Sequence, residues 1–176
     1  MNGDLLGAII SSGVTSIISI IGFVVTYKSM KRNFRQELEK EKTSIHIEKM
    51  ADIPYEILKL MDNMTKKAGG VDFLNDFNSL MDTIYAYGSK EAIKIAATMQ
   101  KENYTMENIE MFDKYRAISM YVLLATQIKC DVTGIRVSPE LWLEMKIKDY
   151  TNNHNGFKEA NNRIVEELKL EKSFLI

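Results

Sequence analysis

The chain has 176 residues, 23 basic and 24 acidic side chains, a net charge of −1 and a single cysteine. That length carries one compact domain and little more, and the balanced charge excludes a dedicated nucleic-acid surface, which needs a clustered basic excess. Cys130 alone excludes an intrachain disulfide, in keeping with a reducing cytoplasm, and two prolines and nine glycines in a Leu-, Ile-, Met-, Lys- and Glu-rich sequence point to an all-α fold.

The first element is Leu5 to Tyr27, LLGAIISSGVTSIISIIGFVVTY, with no ionisable group before its terminal tyrosine. A helix of this length reaches about 35 Å, enough to cross a hydrocarbon core of roughly 30 Å, so residues 1–27 are expected to be a transmembrane anchor. Asp4 is the sole charge before it, whereas Lys28, Lys31, Arg32 and Arg35 follow it. The positive-inside rule then puts the N-terminus outside and the rest of the chain in the cytoplasm, single-pass in the inner (plasma) membrane. A cleaved leader would need a basic start, a shorter apolar core and an Ala-x-Ala-like site, so the segment is expected to stay as a signal anchor.

Ala8, Ser12, Thr15, Ser19, Gly22 and Thr26 recur at steps of four and three, the spacing of a helix pair, with Ile9, Ile10, Ile17, Ile20, Ile21 and Val24 across much of the other side. In lipid, helices associate by close backbone approach and hydroxyl hydrogen bonds, so this face is expected to hold a homo-oligomer. The plainer alternative is a lone anchor whose hydroxyls bond back to their own backbone. Lys28, Lys31, Arg32 and Arg35 are candidate contacts to lipid headgroups, at roughly 1 kcal/mol each, or serve topology alone.

Residues 28–52 read as a basic juxtamembrane helical stalk, uninterrupted by Gly or Pro until Pro54. Met30, Phe34, Leu38 and Ile45 give it a thin apolar stripe, short for a coiled coil. Residues 53–176 read as a cytoplasmic bundle of about five helices. Asp52 to Pro54 restarts a helix whose face is Ile57, Leu58, Met61 and Met64, with Gly69 and Gly70 as a hinge. Phe73, Leu74, Phe77, Leu80, Met81, Ile84 and Tyr85 mark the next, stopped by Gly88. Ser89 starts a helix over Lys90 to Lys101, and a long one is expected from Thr105 to Val132, left at Gly134. The centre of that helix, Ala117 to Ala125, is apolar nearly all round and too short to cross a bilayer, so it should be the most buried. Ser138 and Pro139 open another helix, Thr151 to Gly156 reads as a polar loop, and Phe157 to Leu168 as the last helix.

Motifs for chemistry are missing: no phosphate loop, no HExxH, no cysteine pair, no GxSxG. No cofactor, metal or catalytic residue is therefore expected. His46 and His154 have no acid or cysteine three or four residues away and read as surface residues. Cys130 reads as a small buried hydrophobe, and Asp72, Asp76 and Asp82 as the wet side of an amphipathic helix.

At YAYGSKEAI (Tyr85 to Ile93) and YRAISMYVLLATQIKCDVTGIRVSPELW (Tyr115 to Trp142) the sequence resembles small, uncharacterised bacterial and prophage proteins with one N-terminal span and a cytoplasmic helical domain. The resemblance implies that architecture and an association with mobile elements and phage conflict; it brings no catalytic residues. Two function classes follow. The leading one is a non-enzymatic, membrane-anchored scaffold that self-associates through its anchor and binds an unidentified cytoplasmic protein. The alternative is a membrane effector whose hydroxyl-faced helices form an oligomeric leak or pore, in phage defence for instance. An enzyme is the residual.

Overall fold

The protein was analysed as a computed structural model that describes the backbone of residues 2–65, 71–105 and 113–176, and the side chains of residues 21–63, 74–105 and 113–176. Seven α-helices account for nearly all of it: α1 (Asn2–Met50), α2 (Ile53–Thr65), α3 (Val71–Tyr87), α4 (Lys90–Thr105), α5 (Lys114–Thr133), α6 (Pro139–Lys146) and α7 (Tyr150–Leu168). A 3-10 turn, Lys172–Phe174, closes the chain, and no strand occurs among the described residues. The all-α expectation is met, with six helices rather than five after α1.

Two compact units divide the chain, Met1–Ile45 and His46–Ile176. In the first, one uninterrupted helix joins the expected anchor and stalk, as the lack of helix breakers in residues 28–50 dictates. Each described side chain from 21 to 45 is exposed, large apolar ones included. The side chains of residues 2–20, most of the expected span, lie outside the described residues; among the described ones no helix is long and apolar enough to cross a membrane.

The second unit is a bundle built around α5. Ten consecutive residues, Ser119 to Ile128, are buried, because α5 packs against α2, α4, α6 and α7 and so has no wet side. The helices beside it bury single stripes at helical spacing: Ile53, Ile57, Leu60 and Met61 of α2 and Ala92, Ile95, Ala96 and Met99 of α4, while α3, packed on α2 and α4, buries Phe77, Leu80 and Ile84. The last turn of α1 belongs here too. Met50 is in the core, and the His46 Nδ1–H donates to the carbonyl of Tyr87 at 3.0 Å.

Helix ends follow local chemistry. Asp113 caps α5, its Oδ1 accepting from the N–H groups of Tyr115 and Arg116 at 3.0 and 3.1 Å, and Gly134 ends it at φ 70°, the left-handed region that only glycine enters at no steric cost. Ser138 caps α6 with Pro139 in the first turn, as expected. The expected start of α5 at Thr105 is corrected: Thr105 closes α4, and residues 106–112, with Glu107 and Glu110, lie outside the described residues, as does the Gly69–Gly70 hinge.

A second correction concerns Thr151 to Gly156, which form the first turns of α7 rather than a loop. Low helix propensity is overridden by packing. Tyr150 and Phe157 are buried at the ends of the stretch, the Tyr115 hydroxyl donates to Asn153 Oδ1 at 2.6 Å, and Gly156 lets the Tyr115 ring lie where a Cβ would meet it at 2.9 Å. Arg116 then ties three helices, its Nη2 at 2.6 Å from Glu102 Oε1 of α4 and 2.7 Å from Glu167 Oε2 of α7. The hydrogen bond from Glu102 raises the guanidinium pKa against the opposing effect of burial, with Glu167 adding to the rise.

Candidate functional site

Among the described residues a groove opens between α3 and α4, with a volume of about 510 Å³. It exists because the two helices meet large against small. Met81 and Ile84 come from α3, while α4 presents Ile93 and then Ala96 and Ala97, whose short side chains leave the space unfilled. The corner joining the helices is held by several bonds. Gly88 N–H donates to Ile84 O at 2.7 Å. Ser89 Oγ accepts from Ala92 N–H at 3.1 Å and donates to Asp131 Oδ2 of α5 at 2.6 Å, and Gln127 Nε2 fixes the other oxygen of Asp131 at 2.8 Å.

Polar groups converge on this apolar floor. Gln100 Oε1 is buried and accepts no hydrogen bond from the described residues. A buried acceptor without a donor costs about 1–3 kcal/mol, so an N–H or O–H of a molecule seated here would find an acceptor. Tyr85 and Tyr104 stand at its rim, 78% and 75% exposed, with Asn78 and Asp82 beside them. Large amphipathic rings around an apolar floor are the composition of protein-binding surfaces, and the volume falls within the roughly 300–1,000 Å³ of ligand sites.

A second cluster joins α6 to α7. Glu140 Oε1 accepts from the Tyr150 hydroxyl at 3.1 Å and lies 3.2 Å from His154 Nε2, in a polar cleft that also holds Glu144, Thr151, Asn152 and Asn155. Burial is the main cause of a raised Tyr150 pKa, followed by the bond to Glu140 and the charges of Glu140 and Glu144. The arrangement fastens two helices. No group of three ligating side chains suited to a metal occurs among the described residues.

The residues singled out from sequence fall as follows. Ala8, Ser12, Thr15 and Ser19 lie on α1, their side chains outside the described residues; Gly22 and Thr26 are on the same helix, exposed, and a Cβ on Gly22 would meet nothing within 4 Å. Lys28, Lys31, Arg32 and Arg35 are exposed and, at i, i+3, i+4 and i+7, share one face of α1. Asp76 and Asp82 are exposed, as their place on a wet face requires. Cys130 is half-buried, its thiol pKa raised by burial and by the nearby carboxylates of Glu171 and Asp131. His154 is drawn to an acid that sequence spacing hid, since Glu140 is 14 residues away on a different helix. The Gln100 groove was missed altogether; its one sequence signal is the pair Ala96–Ala97 facing Met81 and Tyr85.

No known family model, curated protein or solved structure matches the chain.

Proposed function

We propose that the protein is a non-enzymatic, membrane-anchored interaction module, held in the inner membrane by Leu5 to Tyr27 with its bundle in the cytoplasm. The observation that carries the reading is the α3–α4 groove, an apolar floor with an unpaired buried acceptor at Gln100 and two exposed tyrosines at its rim. Its occupant is an amphipathic protein segment: apolar side chains seat on Met81, Ile84 and Ile93, and a backbone or side-chain N–H satisfies Gln100. The exposed apolar residues of α1 and the small-residue face Ala8, Ser12, Thr15, Ser19, Gly22 and Thr26 support self-association, and Lys28, Lys31, Arg32 and Arg35 support contact with anionic lipid headgroups. No cofactor, metal or nucleic acid has a part in this reading.

The test uses a photo-crosslinking residue placed at Tyr85, at Tyr104 or, as a control on α6, at Met145, in the full chain expressed in bacterial cells. The expected result is a protein that stays with membranes through carbonate extraction and forms a discrete protein adduct from Tyr85 and Tyr104 but not from Met145. Release by carbonate would remove the anchor, and equal labelling at all three positions would remove the groove.

A further inference from the structure

We infer that the end of the anchor and the stalk of α1 pair in parallel with the same segment of a second copy of this chain, along the stripe Phe23, Tyr27, Met30, Phe34, Leu38 and Ile45. This deepens the self-association proposed above and rests on it, with a seam that lies about 80° around the helix from the small-residue face Ala8 to Thr26. All six side chains are exposed, between 40% and 72%. At about 100° per residue they fall within an arc of about 80°, and their spacing repeats every 11 residues, Phe23 to Phe34 to Ile45 and Tyr27 to Leu38. Such a repeat has about 3.67 residues per turn, so the stripe stays on one side of a nearly straight helix for roughly 33 Å instead of winding around it. An apolar ridge of that length, broken only by Glu41 between Leu38 and Ile45, is a surface in want of a cover.

The charges beside the ridge say what covers it. Lys31, Arg35 and Lys42 lie about 60 to 100° to one side of its midline, while Glu37 lies about 60° to the other and Glu41 about 20° to that side, within the arc of the ridge itself. All five are exposed, and none is in a salt bridge among the described residues. In a parallel two-fold pair the basic flank of each helix faces the acidic flank of its partner, with Lys42 and Glu37 separated by about 7.5 Å along the axis, within reach of long side chains. An antiparallel pair sets basic against basic and acidic against acidic. A lipid surface is a poorer cover, because Glu37 and Glu41 would face anionic headgroups. The ridge is thus self-complementary in one orientation, the orientation that two anchors in one membrane also impose.

The test is disulfide trapping in the full chain in native membranes, on a Cys130→Ser background, with single cysteines at Phe34, Ile45 or Arg32. A parallel, in-register pair links Phe34→Cys to itself and Ile45→Cys to itself, since an antiparallel pair can bring residues of one height alone opposite themselves. Arg32→Cys, on the far side, should not link. Lys31→Glu with Lys42→Glu should lower trapping at position 34 by about fivefold, and co-expression with a Glu37→Lys, Glu41→Lys chain should restore it. Trapping at one height only overturns the parallel arrangement. A dimer by sedimentation in mild detergent that links equally at all three positions overturns the stalk seam and leaves association to the anchor. A monomer overturns both readings, and a monomer whose stalk binds anionic vesicles assigns the ridge to lipid.

Discussion

Helices α1 and α5 are both rich in large apolar residues, yet they stand in opposite surroundings. From Ile21 to Ile45 every side chain of α1 is exposed, with Phe23, Met30 and Phe34 each more than 60% open, whereas Leu123, Leu124 and Ile128 of α5 are fully buried. Apolar content tells that a helix must be covered but not by what. For α5 the cover lies within the chain, supplied by four neighbouring helices; the described side chains of the stalk up to Ile45 have none, and under the reading proposed above a second copy supplies it.

The sharpest way to break this contrast is to truncate one apolar side chain in each helix. Leu124→Ala should lower the unfolding free energy of the bundle by about 2–5 kcal/mol, the cost of a buried cavity. Phe34→Ala should change it by less than about 0.5 kcal/mol while weakening self-association. Both are read by denaturant titration of the helical signal alongside sedimentation. Equal losses of bundle stability would mean that the stalk, too, is buried within the chain.

Alkaline titration probes the dry side of the contrast. Burial pushes the Tyr121 phenol up to about 12 from 10.0. The native state therefore keeps a proton that the unfolded chain gives up, so stability from this residue is complete below about pH 10 and falls between about pH 10 and 12, at up to roughly 1.4 kcal/mol per pH unit. Tyr121→Phe should flatten that part of the stability–pH curve. A slope unchanged by the substitution would place its origin elsewhere.

The smallest effect is expected where α7 approaches α5. Gly156→Ala gains roughly 0.5–1 kcal/mol of helix propensity but puts a Cβ 2.9 Å from the Tyr115 ring, and overpacking costs about 1–3 kcal/mol. A net loss near 1 kcal/mol is expected, smaller when Tyr115 is also shortened, and a double-mutant cycle of melting curves measures the difference.

Much of this architecture was legible in the sequence because it rests on local rules. Gly88 stopping α3, Ser138–Pro139 opening α6 and the apolar centre of α5 at its most buried point each depend on residues within one turn of one another. What escaped depends on distant ones. Asn152, Asn153 and Gly156 read as a loop until Tyr115, from a helix nearly 40 residues earlier in the chain, supplies the ring and hydroxyl that make them a helix. Glu140 and His154 are a pair only because the turn after α6 doubles back. The groove is the hardest case, since Gln100 looks like any polar residue on an amphipathic helix until two alanines beside it leave its oxygen without a donor.

The central position of α5 has a consequence in time. α2 and α4 bury their stripes against a helix made later, and the span from Ile53 to Thr133 takes roughly 4–16 s to synthesise at about 5–20 residues per second. During those seconds the faces of Ile57 and Ile95 emerge with no α5 to cover them, behind an apolar N-terminal segment already clear of the ribosome. Slowing translation between α4 and α5 should therefore lower the yield of folded protein more than the same delay placed after Gly134.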